Sequence, residues 1–317
     1  MDDIRFDIRR YTTSLADEWN AFVAQSKNGT FLFDRRYMDY HADRFSDCSL
    51  LFYRAGRLHA LLPAHAAAAL FASHSGLTYG GLVTDRHFAA AEAVPLFTQL
   101  NDWLRQTGFR RVVYKPVPHI YHVLPAEADL YALHHVCHAR ITGRDIGTDI
   151  VRRRAPRWER VRRRGVRRAQ EAGISVRRTD EYAAFWRILA DNLGSRYGVQ
   201  PVHTLEEIEL LAGRFPDNIA LFGAYRDGVM LGGLVLYITT QVVHAQYSSA
   251  TDEGKALGVM DMIYDHVLRE EYTDRPHFDF GRSTEGPAGD VLNARLTFQK
   301  EGYGGRTVVY DTYEYTL

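Results

Sequence analysis

The feature that most constrains this chain is a weak internal repeat, because an order of elements that returns twice demands a duplicated architecture. In the first copy, Leu50-Leu51-Phe52-Tyr53 and Leu58-His59-Ala60-Leu61-Leu62 flank Ala55-Gly56, which reads as a hairpin. A glycine-rich, strand-like piece follows, Leu77-Thr78-Tyr79-Gly80-Gly81-Leu82-Val83. Next comes a helix over 89–106, with Val94, Phe97, Leu100, Trp103 and Leu104 at helical spacing and Gly108 beyond its end. Arg111-Val112-Val113-Tyr114 closes the series as a strand. The same order returns with Ala220-Leu221-Phe222-Gly223-Ala224-Tyr225, the turn Asp227-Gly228 and an apolar run over 230–238. A strand over 242–248, a polar loop over 251–258, a helix carrying Met262, Ile263, Val267 and Leu268, and the strand His277-Phe278-Asp279-Phe280 complete it. Two such copies predict an α/β (α+β) fold of two tandem domains, each a mixed central β-sheet flanked by helices.

Between the copies the charge is lopsided. Formal net charge over the chain is zero, yet ten arginines lie from Arg152 to Arg168 against one acid, Glu159. Pro156 suits a first helical turn and Gly173 a helix end, while Trp158, Val161, Gly165, Ala169 and Ala172 form a narrow apolar stripe. The spacing predicts a helix over 156–172 with arginines on its other faces. A second amphipathic helix begins at Tyr182, with Phe185, Trp186 and Leu189 inward. Gly143 and Gly147 interrupt the pattern over 139–149, which reads as the linker between domains 1–140 and 141–317.

Composition narrows the class. A length of 317 residues suits two domains, and 46% hydrophobic with 25% charged residues is enough apolar material for ordinary buried cores. The longest apolar stretch, 58–72, contains Pro63 and His65 and falls short of the roughly 20 residues that cross a bilayer. The acidic start, Met1-Asp2-Asp3-Ile4-Arg5, has no apolar segment of the secretory kind, so a cytoplasmic protein is expected. Cys48 and Cys137 stand apart from each other and from histidine clusters, which predicts plain thiols and no metal site.

The C-terminal third carries a more specific pattern. Phe278-Asp279-Phe280-Gly281-Arg282-Ser283, then Leu292-Asn293, then Phe298-Gln299-Lys300-Glu301-Gly302-Tyr303-Gly304-Gly305 resembles the ending of FemAB-like proteins, which are tandem GNAT-fold acyltransferases. The basic run ending Arg167-Arg168-Ala169-Gln170-Glu171-Ala172-Gly173-Ile174 is similar to the basic helix of that family. The resemblance implies an acyl group carried on a thioester or aminoacyl ester, an amine acceptor, and no tightly bound cofactor. Simple acetyltransferases place Gln or Arg, two residues, Gly, one residue, then Gly or Ala in the cofactor loop. Here Lys255-Ala256-Leu257-Gly258-Val259-Met260 stands in that place, with Lys first and Met last.

Aminolysis of an acyl ester needs a neutral amine, a carbonyl held beside it and donors aimed at the oxyanion. Asp279 is placed to take the amine proton, Lys300 to stabilise negative charge and Tyr247 to donate to an oxyanion or leaving group, with Ser283 beside them. Each also has a structural reading: Asp279 as a cap of the Arg282-Ser283 turn, Lys300 as a surface ion, Tyr247 as a core aromatic. The loop entering a helix at Gly254, Lys255, Gly258 and Val259 suits a pyrophosphate, since unpaired N–H groups and the helix dipole favour anions; it also reads as a solvated turn. The arginine helix suits tRNA or another polyanion, or is a solvated face paired with Glu206, Glu207 and Glu209. The expectation that follows is an N-acyltransferase taking its acyl group from acyl-CoA and delivering it to an amine of a small molecule or cell-envelope precursor. An aminoacyl-tRNA donor is the alternative within the same fold, and a non-catalytic binding module that keeps the cleft is the third reading.

Overall fold

The computed structural model describes residues 4–154, 157–286 and 288–317, and the side chains of Arg196 and Tyr197 lie outside the description. The chain divides into two compact units. The first comprises Met1–Ile146, Thr284–Val291 and Val309–Leu317, the second Gly147–Ser283 and Leu292–Val308.

In chain order, the first unit begins with β1 (Asp7–Arg10), α1 (Ala16–Gln25), α2 (Arg35–Met38), β2 (Ser46–Asp47), β3 (Leu50–Arg54) and β4 (Arg57–Leu62). It continues through β5 (His65–Ala67), β6 (Leu70–Ala72), β7 (Val83–Thr84), α3 (Ala90–Gln106), β8 (Arg111–Tyr114) and α4 (Ala128–His135). Strand β9 (Arg140–Val151) leads out of it. Strands β3 and β4 are the expected hairpin, and its turn residues Ala55 and Gly56 have φ of 49° and 76°. Positive φ at both centres is the type I′ geometry that matches strand twist. Helix α3 buries Ala93, Leu96, Phe97, Leu100 and Leu104. Two expectations are corrected here: of the glycine-rich piece only Val83 is strand, in the two-residue β7, and Val94 faces outward at 37% exposure.

The second unit contains α5 (Arg160–Glu171), β10 (Ser175–Thr179), α6 (Tyr182–Tyr197), α7 (Leu205–Arg214), β11 (Ile219–Arg226), β12 (Val229–Ile238) and β13 (Val242–Ala250). Helices α8 (Asp252–Leu257) and α9 (Val259–Arg269) and strand β14 (His277–Arg282) follow. After the short β15 (Thr284–Glu285) and β16 (Val291–Leu292), α10 (Ala294–Glu301) returns to this unit, and β17 (Arg306–Thr316) runs on into the first unit's last segment. The sheet order is β10-β11-β12-β13-β14-β9, antiparallel throughout except for the parallel pair β13/β14. The second hairpin turn repeats the first, with φ of 51° at Asp227 and 79° at Gly228. The expected linker 139–149 contains the division at Ile146/Gly147, but it is no loop: most of it belongs to the twelve-residue strand β9, whose end pairs with β14.

Helices α5 and α9 cover one face of this sheet and α6 the other. Successive strand residues point to opposite faces, and the adjacent pair Gly232-Gly233 uses that alternation. A Cβ at Gly232 would lie 2.8 Å from Val259 of α9, and one at Gly233 would lie 2.6 Å from Phe185 of α6. Both helices can thus approach the backbone of the central strand. The α9 face is the apolar core, built from Leu234, Leu236, Val243, Ile263, Val267, Phe278, Phe280 and Tyr303 among others.

Helix α5 starts later than the sequence suggested, and Pro156 lies outside the described residues. Its inward stripe is Gly165, Val166 and Ala169 with the half-buried Arg162, while Val161 is 50% exposed and makes no core contact of the kind expected. Among the described residues no helix is long and apolar enough to cross a membrane.

Candidate active site

The parallel pairing of β13 and β14 is short. It runs through Val242↔His277, Val243↔Phe278 and His244↔Asp279 and then stops, although β13 continues to Ala250 against β12. The two strands part beyond His244 and Asp279. A crevice at the carboxyl ends of parallel strands is where α/β folds place their ligands.

Two irregularities decide which side chains face this crevice. In β13, Leu236 pairs with Ala245 but Val235 with Tyr247, so Gln246 is an extra residue. Such a bulge reverses the alternation beyond it. Val243 and Ala245 lie in the α9-side core before the bulge, and without it Tyr247 would join them. Instead Tyr247 meets Trp186 of α6, ring centroids 5.2 Å apart, and Ser249 meets Asn192 of α6 at 2.9 Å, which puts both on the face of His244.

The second irregularity lies in β14 between Asp279 and Arg282, where Gly281 adopts φ +70°. A Cβ there would lie 3.1 Å from Cε1 of His244, so the turn folds closely over the imidazole. The Gly281 N–H donates to Asp279 Oδ1 at 2.8 Å, and Asp279 Oδ2 lies 2.8 Å from His244 Nδ1. Asp279 is fully buried.

Lys300 reaches the same turn from α10. Asn293 fixes that helix: its side chain accepts from Leu296 N at 2.9 Å, and its backbone N–H donates to Ser283 O at 3.0 Å. Lys300, in the last turn, donates through Nζ to Gly281 O at 3.0 Å and Arg282 O at 2.6 Å. Burial pushes its pKa down to about 8, opposed by the charge of Asp279 and aided by Arg282. Ser283 is buried, and its Oγ has no hydrogen-bond partner among the described residues.

The remaining expected residues form neighbouring groups. Tyr247 OH lies 2.5 Å from His203 Nδ1, and burial is the main cause that raises the phenol to about 12. Lys255 donates to Asn192 Oδ1 and, at 2.8 Å, to Asp252 Oδ1. Gly254, Lys255 and the residues beside them form α8 instead of an open loop. A Cβ at Gly254 would lie 2.4 Å from Leu231 O, and one at Gly258, φ +84°, would lie 2.5 Å from Gly165 O. Val259 is fully buried. In the first turn of α9, Asp261 accepts from Tyr303 OH at 2.6 Å and from Arg162 at 2.9 Å. The described hydrogen bonds of Lys300 go to β14 and those of Lys255 to α6 and α8.

The structure thus brings Asp279, Lys300 and Ser283 to one turn, places Tyr247 on the same face of the sheet, and commits Gly254 and Gly258 to backbone packing. His244 and His203 were not singled out from the sequence. Each is a lone histidine in its local pattern, and only strand register and the bulge give it a partner. Among the described residues no group of three or more His, Cys, Asp or Glu side chains is arranged to hold a metal ion. A separate cavity of about 690 Å³ lies by β10, α7 and β11, lined by Arg178, Tyr182 and Glu209 among others, and contains none of these residues.

Comparison with known proteins bears on the fold. Residues 152–288 match the family model for the acetyltransferase (GNAT) domain. No curated protein matches the chain. Among solved structures, FemX is similar over 98% of this chain and 97% of its own, at 12% identity and TM-score 0.69. L-PGS from Bacillus licheniformis is similar over 94% and 91%, at 11% identity and TM-score 0.60. A tandem GNAT protein from the clavulanic acid biosynthesis pathway is similar over 98% of each chain, at 12% identity and TM-score 0.55. Residues 152–288 thus carry a domain of the GNAT acetyltransferase kind, and the fold of the whole chain is that of a tandem GNAT protein. More narrowly, the chain shares its fold over nearly its whole length with FemX and with that tandem GNAT protein.

Proposed function

We propose that this chain transfers an acyl or aminoacyl group from an activated ester or thioester to the amine of a small molecule or cell-envelope precursor, with the chemistry at the parting of β13 and β14. The observation that carries this reading is Lys300, an ammonium half-buried beside the crevice and oriented by the carbonyls of Gly281 and Arg282. A cation fixed in advance stabilises developing negative charge more strongly than one that must reorganise. The names of FemX and L-PGS, a protein of the same fold, fit an acceptor related to the cell envelope.

An aminoacyl-tRNA is favoured as the donor over acyl-CoA. Eight arginines of the 152–168 segment are exposed, Arg153, Arg154, Arg157, Arg160, Arg163, Arg164, Arg167 and Arg168, and none is in an ion pair among the described residues. The glycines of the 251–258 segment, by contrast, are committed to packing, which leaves acyl-CoA as the second reading. Either donor places the reaction in the cytoplasm.

The test is amide formation from labelled aminoacyl-tRNA or acetyl-CoA onto a panel of primary amines. Lys300→Ala is expected to lose a hundredfold or more in turnover, roughly the value of one oxyanion donor, at unchanged melting temperature. Unchanged turnover would remove Lys300 from the chemistry.

A further inference from the structure

The strongest unassigned feature is the pair His244–Asp279. It is the last paired rung of β13 and β14 before they part, so it stands at the apex of the crevice. Both side chains point away from the apolar core that holds Val243, Ala245, Phe278 and Phe280. Asp279 is fully buried, with one oxygen engaged by the Gly281 N–H and the other by His244 Nδ1, so it is placed to hold the imidazole and not to reach a substrate. With a carboxylate at Nδ1, the hydrogen of a neutral imidazole sits on that nitrogen and Nε2 is the basic one. Gly281 ties this pair to the cation: its N–H binds Asp279 while its carbonyl receives Lys300.

Resting on the acyl-transfer reading above, we propose that His244 is the base that takes the proton from the acceptor ammonium, with Asp279 as its positioning residue. The ammonium gives one proton to His244 Nε2. The freed nitrogen lone pair forms the C–N bond at the acyl carbonyl, whose negative charge falls to Lys300. Collapse of the tetrahedral intermediate breaks the bond from carbonyl carbon to oxygen or sulfur. The second nitrogen proton leaves on that heteroatom, and the imidazolium returns its proton to solvent. The products are an amide, a neutral alcohol or thiol and one released proton. Other charged groups at this end of the sheet are the neighbouring pair His277–Asp149, 2.7 Å apart, together with Arg282 and Lys300.

The experiment compares two acceptors, ethylamine, which is protonated at neutral pH, and hydroxylamine, which is not, with aminoacyl-tRNA and acetyl-CoA each tried as donor. A base is needed for the first and dispensable for the second. His244→Gln is expected to lose about a hundredfold or more with ethylamine at neutral pH, the usual contribution of general-base catalysis, and far less with hydroxylamine. Its ethylamine rate, taken relative to that of the wild type, is expected to climb with pH. Asp279→Asn is expected to behave in the same way to a lesser degree, with melting temperatures recorded for both variants. Lys300→Ala is expected to lose both acceptors alike. A His244→Gln protein of wild-type melting temperature that keeps the wild-type ethylamine rate and pH profile, or loses both acceptors equally, overturns the assignment of the base. If His244→Gln fails to fold, the pH profile of Asp279→Asn decides in its place. If the wild type joins neither donor to either acceptor, the acyl-transfer reading itself falls, and the base with it.

Discussion

Lys300 is held by two opposing effects, and the balance between them sets how activity depends on pH. Burial lowers its pKa to about 8, well below the roughly 10.4 of an unfolded lysine. A role as a cation requires the charged form, so the contribution of Lys300 to turnover is expected to be full below about 8 and to be lost as the pH rises through it. Lys300→Arg keeps its charge throughout and is expected to lose this alkaline limb; a limb that survives in Lys300→Arg belongs to another group. The stability effect has the opposite sense. Between about 8 and 10.4 the folded state binds fewer protons than the unfolded chain, so this residue's contribution to stability rises with pH and is lost as the pH falls through 8. Lys300→Met is therefore expected to leave the melting temperature at neutral pH unchanged or raised while turnover drops. Sequence alone marked Lys300 and Asp279 through the signature in which they lie, and it assigned proton acceptance to Asp279. The structure gives that carboxylate to His244 instead. Nothing in Val242-Val243-His244-Ala245 announces a partner 35 positions along the chain, because strand register is a long-range property.

At the scale of elements, the periodic segments were legible and the irregular ones were not. The hairpins, α3 and α9 follow from spacing and turn residues. Two misreadings concern glycines read as loop residues, Gly147 and Gly254, whereas Gly165 has its place in the apolar stripe of the helix from spacing alone. Gly147 lies within β9, Gly254 sits against Leu231, and Gly165 meets Asp261, where a Cβ would lie 1.7 Å from Oδ2. Gly165→Ala is accordingly expected to force α5 off α9 and disturb the Arg162–Asp261–Tyr303 contacts. A loss of about 1–3 kcal/mol, typical of overpacking, should be measurable by urea unfolding, and a change under about 0.5 kcal/mol would mean that α5 shifts without resistance. The exposed face of α5 behaves differently. Replacing Arg164, Arg167 and Arg168 together by alanine is expected to leave stability nearly unchanged, since exposed charges contribute little. The same triple variant is expected to reduce the salt dependence of tRNA binding, by about 0.7–0.9 in log–log slope for each phosphate that is no longer neutralised. An unaltered slope would place the nucleic acid elsewhere or remove it.

On the scale of the whole molecule, the chain does not divide at one point. The sequence suggested a single boundary near residue 140, whereas the first unit reclaims Thr284–Val291 and Val309–Leu317 after the second has been laid down. Periodicity cannot reveal this, because a strand's pattern says which face is buried and not which neighbour it pairs with. The final segment is integral to the first unit. Tyr313, Glu314, Tyr315 and Thr316 pair antiparallel with β8. Tyr315 is buried in that unit's core, its hydroxyl 2.9 Å from Asn101 Oδ1 on α3, and Tyr310 OH lies 3.5 Å from Tyr121 OH. A chain ending at Val308 keeps every residue of the second unit but takes from β8 a paired strand and leaves the buried Asn101 without its phenol. Deleting 309–317 is therefore expected to lower the melting temperature and expose the amides of β8 and α3 to rapid hydrogen exchange, while those of β11 and β12 stay protected. Undiminished protection of β8 in the truncated protein would mean that the first unit stands without its last strand.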